Sequence, residues 1–302
     1  KGRTNELESL KSRLFDFENK PPKPIPAVTL ANQPLCTPGN IANIQAQIKT
    51  GKSAVVGAVI GSTVKGRNTG GDCLGFESEN PDGKAVIHFD TEQSPYDHDR
   101  LIRRSLKRAG IDEPPEWLLS YSMMGTDQSE CRRALKVAME DAAEKFGGVL
   151  LVIVDGVGDL VMDPNDSAES FAVVGELVSL AKRFACPILT VLHENPAPDG
   201  GFAKTRGHLG SHLARKAETS LRLVKDADNI TTMFTDSARA CHIPKSEGIC
   251  FQWSDEAKAH VSCGDAGSIR DESKRIKAQE ECDKAFGPKP KGMTYSELVD
   301  AV

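Results

Sequence analysis

Val149-Leu150-Leu151-Val152-Ile153-Val154-Asp155 is six apolar residues without a break, closed by a carboxylate. A strand with one wet face alternates polar and apolar side chains. An unbroken run therefore suits a strand covered on both faces, the condition met in parallel sheets flanked by helices. The chain supplies such helices. Cys131, Leu135, Ala138, Ala142 and Phe146 recur at helical spacing over 128–146, with Asp127 and Glu130 as a capping pair. Phe171, Val174, Leu177, Leu180 and Phe184 form the buried stripe expected of a helix over 167–184. Further strands are expected at NIANIQ, KAVIHFD, WLLSYS and PILTVLH, and further helices over 52–64 and 95–109. After residue 218 come the short alternating runs TSLRLV, ITTMFT, GICFQW and KAHV, separated by Asp, Asn, Ser and Gly, which suit antiparallel strands. The expected class is α/β: a three-layer sandwich whose mostly parallel central sheet is extended by antiparallel strands at one edge.

Three segments are expected. Residues 1–26 comprise a helix over 1–20 and a Pro-rich linker from Lys20 to Pro26, whose fixed φ values and missing N–H groups favour extended backbone. Residues 27–264 form the α/β domain. Residues 265–302 carry a charged helix or linker, the break GPKPKG, and a helix start in which Thr294 and Glu297 have capping-box spacing. Both ends are expected to continue in a longer protein. With 302 residues, 39% hydrophobic and 27% charged, the chain has a globular composition and enough length for a sizeable core. It has no 18-residue apolar run and no signal peptide, so a cytoplasmic protein without a membrane partner is expected. Eight cysteines without CxxC or Cys/His ligand spacing read as reduced thiols. A net charge of -5 confines any nucleic-acid contact to local basic patches.

The strongest local signal is Lys49-Thr50-Gly51-Lys52-Ser53-Ala54, placed between an expected strand and an expected helix. A loop there aims backbone N–H groups and a helix N-terminus at phosphate oxygens; Lys52 reaches the β and γ phosphates of ATP and Ser53 binds Mg²⁺. The full GxxxxGK[ST] pattern is imperfect, because Ala46 stands where the first glycine belongs; it fits if its φ stays negative. Asp155 ends the buried run downstream, where a second oxygen ligand is needed for the Mg²⁺ shell; the plainer reading is a strand-ending Asp that caps the next loop. Glu92, in Asp90-Thr91-Glu92-Gln93, closes the strand after the loop's helix. It either takes the proton of an attacking water or simply caps the helix near Pro95. Arg100, Arg103, Arg104, Lys107 and Arg108 lie opposite the apolar face of their helix and read as a solvated face.

The order of GKS, DTE closing the next strand, an apolar run ending in Asp, and a strand ending in His193-Glu194-Asn195 resembles the RecA-type ATPases, including the RadA, KaiC and DnaB groups. Within them it is most similar to the RepA-like hexameric helicase ATPases of plasmids, phages and other mobile elements. The resemblance covers about residues 27–262. Glu92 on the strand after the P-loop separates this group from AAA-type ATPases, where that carboxylate sits beside the Walker B strand. The resemblance implies a RecA-like sandwich, ATP and Mg²⁺, a homo-oligomer of hexameric form, and single-stranded DNA in a central pore. It implies catalytic roles for Lys52, Glu92, His193 as a γ-phosphate sensor and Arg239 as a finger reaching a neighbouring subunit, a part that Arg215 can also fill. It gives the DNA contacts to Lys204, Arg206 and His208, whose loop otherwise reads as solvated. By analogy, the segment after Met293 begins a winged-helix-like module. The rival functional class is a RadA- or KaiC-like ATPase that assembles on nucleotide without unwinding; a small-molecule kinase is disfavoured by the absence of a lid-like arginine set.

Overall fold

The computed structural model of the chain describes residues 7–65, apart from 9 and 12, residues 71–194 and residues 207–286. Strands β1 (Val28–Leu30) and β2 (Gln33–Cys36) precede β3 (Ile41–Ala46), helix α1 (Lys52–Lys65), β4 (Phe76–Glu77), β5 (Ala85–Asp90), α2 (Pro95–Ala109), β6 (Leu118–Ser122), α3 (Gln128–Lys145) and β7 (Val149–Asp155). Then follow α4 (Ser167–Arg183), β8 (Ile188–His193), α5 (Gly207–Lys216), β9 (Thr219–Lys225), β10 (Thr231–Ala238), β11 (Ile249–Ser254), β12 (Ala259–Asp265) and α6 (Ala266–Phe286).

One nine-stranded sheet runs β12-β11-β10-β9-β3-β8-β7-β5-β6. From β9 through β6 every pairing is parallel, and β9 to β12 pair antiparallel. The apolar run of β7 behaves as its composition demands: Leu151 and Ile153 pack with α1 and α2 on one face, Val152 and Val154 with α3, α4 and α5 on the other. The fold is thus the expected RecA-like three-layer sandwich. Among the described residues, no helix is long and apolar enough to cross a membrane. The described cysteines are free thiols, most of them buried.

Local chemistry sets the helix ends. Ser94 caps α2 by accepting from the Asp97 N–H at 3.2 Å, Pro95 starts it, and Gly110 in the left-handed region stops it. Asp127 caps α3 through the N–H groups of Ser129 and Glu130, each 3.0 Å away. Because β3, β5, β7 and β8 run parallel, their carboxyl ends meet at one sheet edge. Ala46 is in register with His193, and Asp90 with Asp155.

Four departures from expectation stand out. A small sheet, β2-β1-β4, adds Val28, Leu30, Leu35 and Phe76 to the core beside α1; its strands are two to four residues long, too short to show a period. The described part of the first twenty residues is not one helix: helical residues reach Lys11, and turns follow in which the Asp16 carboxylate accepts from the Glu18 and Asn19 N–H groups. Phe171, expected in the core, is 61% exposed with its ring edge-on to His212, while Val173 takes the buried place. Helix α5, over Gly207–Lys216, was not expected at all; the charged segment after residue 265 takes the helical one of its two expected forms as far as Phe286, and Thr294 and Glu297 lie outside the described residues.

Candidate active site

A cavity of about 610 Å³ opens at the carboxyl edge, between the start of α1 and α2. Lys49, Gly51, Lys52, Ser53, Ala54, Glu92, Asp155 and His193 all line it, so residues far apart in the chain meet as their motifs demand. The turn that leads to α1 is tight: Lys49 has φ +62° and Gly51 φ +96°. At Gly51 a side chain is barred twice over, by the left-handed backbone and by the Phe251 ring, 2.8 Å from where a Cβ would stand. Ala46 ends β3 without a positive φ, so the place of the first P-loop glycine tolerates a methyl group. Thr50 is buried and supports the turn from behind: its hydroxyl donates to the Gln47 carbonyl at 2.8 Å, and its own carbonyl accepts from Thr231 at 3.0 Å.

Lys52 is 7% exposed, and its ammonium donates to the carbonyls of Gln47 at 2.8 Å and Ala46 at 3.3 Å. Burial lowers its pKa, against the pull of Glu92, Asp155 and Glu194. Asp155 shows the opposite stress. Burial first, then the nearby charges of Asp90 and Glu92, push its carboxyl up to about 8. A cation delivered to the cavity relieves the Asp155 carboxylate, and Ser53 and Asp155 are the hard oxygen donors that Mg²⁺ takes, so the residues fit that ion. Glu92 follows β5 and has a third of its side chain exposed; its Oε2 lies 2.8 Å from His193 Nε2. His193 Nδ1 is buried without a partner among the described residues.

Behind this front row stands an array that the motifs do not reveal. Asp90, fully buried, accepts four hydrogen bonds: Oδ1 from the Glu92 and Gln93 N–H groups, Oδ2 from Gln93 Nε2 and His98 Nδ1. His98 Nε2 lies 2.9 Å from Ser120 Oγ, which lies 2.9 Å from His88 Nδ1. Burial alone would raise the pKa of Asp90, but the bonds from His98 and the turn N–H groups hold it below its ordinary value. His88 is pushed down to about 4, by burial first and by His98 against the pull of Asp90. His88, Asp90 and Asp155 bring potential ligand atoms within 4.8 Å of one another, yet Asp90 has no lone pair left for a metal. A polar His inside the apolar strand AVIHFD was the signal available in the sequence. A second cluster joins buried Glu194 and Arg222 with exposed Asp236: Arg222 stands 3.1 Å from Glu194 and 3.2 Å from Asp236, the first a charge contact without hydrogen-bond alignment.

The arginine face of α2 is solvated only in part. Arg103 and Lys107 are exposed, but Arg100, Arg104 and Arg108 line the cavity. Arg104 lies 5.3 Å over the Trp253 ring, and buried Arg108 donates to the carbonyls of Asp72 and His260. Helical spacing alone could not foresee a second wall supplied by Lys225 of β9 and by Ala259 and His260 of β12. Arg239 is exposed just past β10, and His208 is exposed at the start of α5; neither lines the cavity. Lys204 and Arg206 lie outside the described residues.

A protein family described as AAA domain matches residues 5–198, more than half of the chain. The chain belongs to that family. No curated protein matches this AAA domain. Among solved structures it is similar to the ATPase domain of another protein, 13% identical, covering 74% of this chain and 84% of that one with a TM-score of 0.52, which shows the fold. With 538 solved chains matching, the fold by itself does not select one cellular task. Within the AAA domain described here the arrangement is that of a RecA-like ATPase, since Glu92 follows β5 and Gly156, not a carboxylate, follows Asp155.

Proposed function

We propose that this AAA domain is an ATP-hydrolysing motor, the ring-forming replicative DNA helicase of a mobile element. The observation that carries the hydrolase reading is the meeting of Lys52, Ser53, Glu92, Asp155 and His193 around one cavity. Lys52, Thr50, Gly51 and the first residues of α1 present positive charge and N–H groups to the triphosphate. Mg²⁺ held by Ser53 and Asp155 would neutralise phosphate charge. Glu92 accepts the proton of the attacking water, and the His193 contact holds its carboxylate in place. His193 also links the γ-phosphate end of the cavity to the loop that follows β8.

The ring and its DNA rest on the family resemblance. In that reading Arg239, exposed and away from its own cavity, serves the cavity of the next subunit, and Lys204, Arg206 and His208 face single-stranded DNA. The rival is a nucleotide-driven assembly that does not unwind. Two assays decide. Glu92→Gln is expected to bind ATP with native affinity and to lose turnover, and retained turnover would refute Glu92 as the base. ATP-dependent strand displacement, abolished by Lys52→Ala, supports the helicase; a stable ring with ATPase but no displacement supports the rival.

A further inference from the structure

The Asp90 array lies one layer behind the groups assigned to hydrolysis, and it touches two of them. Its four accepted bonds hold the turn 90–93 from which Glu92 projects. Through Gln93 the same turn reaches Asp155, 3.5 Å from Gln93 Nε2. Asp90 carries its charge inside the sheet edge, and His98 is the one side chain of α2 that meets it, with only 12% of that side chain exposed. With both imidazoles neutral, one direction of donation makes all three bonds: His88 Nδ1–H to Ser120, Ser120 O–H to His98 Nε2, His98 Nδ1–H to Asp90; His88 Nε2 is then an acceptor without a partner among the described residues. The His88 and His98 rings stack with centroids 5.4 Å apart and planes 15° apart, so the second ring steadies the first. His98 also sits on the helix whose Arg100 and Arg104 line the cavity.

We propose that His98 is a positioning residue for hydrolysis: by locking Asp90 it fixes the 90–93 turn, and with it the aim of Glu92 at the water. The inference rests on Glu92 being the base. A misplacement of about 1 Å at a catalytic group can cost roughly 10²-fold in rate, while nucleotide affinity, set by the P-loop, is left alone. His98→Ala removes both bonds. In His98→Asn the amide nitrogen stands near the place of Nδ1, so the bond to Asp90 survives and the bond to Ser120 is lost.

Turnover and ATP affinity are measured for the wild-type chain, His98→Ala and His98→Asn, each alone and with Glu92→Gln, below the melting temperature of every variant. Expected are a kcat roughly 10- to 100-fold lower in His98→Ala with nearly unchanged affinity, recovery of most of it in His98→Asn, and no further effect of His98→Ala once Glu92 is Gln. Affinity falling in step with kcat, no recovery with Asn, or additive losses with Glu92→Gln would overturn the proposal. Long-range imidazole ¹H–¹⁵N spectra read the lock without any activity: His98 is expected as its Nδ1–H tautomer, and an Nε2–H tautomer removes the lock. A wild-type chain that shows the Nδ1–H tautomer but no ATP turnover refutes the hydrolase reading and leaves the lock standing.

Discussion

Asp155 is shaped by opposing demands. Its carboxyl is raised from 3.8 to about 8, because burial and the charges of Asp90 and Glu92 penalise ionisation. The folded chain therefore keeps a proton that the unfolded chain has already released above about pH 4. Stability from this group is full below the unfolded value and declines as pH rises towards 8, by at most about 1.4 kcal/mol per unit. Thermal melts without nucleotide or divalent cation are expected to show Asp155→Asn gaining on wild type steadily between about pH 5 and pH 8. A difference that does not change with pH would mean that Asp155 is not the strained group. The same stress makes an arriving cation welcome, which links a stability measurement to the proposed chemistry.

Helices α1 and α2 approach closely because α1 carries glycines where they touch. A Cβ on Gly57 would stand 3.2 Å from the Ser105 hydroxyl, and one on Gly61 would stand 2.9 Å from Arg108 Cβ and 3.0 Å from the Ser105 carbonyl. This closeness sets the separation of the P-loop from the arginine wall of α2. Gly61→Val is expected to cost about 1–3 kcal/mol by overpacking, read as a lower urea midpoint with an unchanged slope, whereas Gly175→Ala on α4, with nothing described within 4 Å, is expected to cost nothing. Gly156 is held more tightly: φ is +101° and a Cβ would collide with the Thr91 hydroxyl. Most helices and the long strands were legible because capping residues and apolar spacing are local properties, while α5, a short helix with no such cap among the described residues, was not. β7 runs from Val149 to Asp155 and α2 from Pro95 to Ala109, as read from the sequence. β1, β2 and β4 were not legible, since two to four residues next to turns carry no period.

At the scale of the molecule, the proposed ring asks Arg239, exposed and outside the lining of its own cavity, to complete the site of a second copy. Its backbone N–H donates to the Glu218 carbonyl at 2.9 Å, so the turn is anchored while the side chain stays outside. Arg239→Ala is expected to lose most turnover with ATP affinity nearly unchanged, and mixing it with Lys52→Ala subunits is expected to restore activity. Such complementation requires intact Arg239 from one subunit and intact Lys52 from its neighbour. Light scattering with a non-hydrolysable ATP analogue checks the premise, and a monomer in every condition would remove the trans role of Arg239.

The sequence alone determined the long strands of the parallel sheet, most of the helices and the spacing of the nucleotide motifs, because each is written in neighbours a few positions apart. Only the tertiary structure decided that Arg104 and Arg108 face the cavity, that Phe171 lies outside the core, and that Asp90 is locked by His98, Ser120 and His88. Those outcomes depend on which strands lie side by side and in what register, a property of packing that no short stretch of chain encodes.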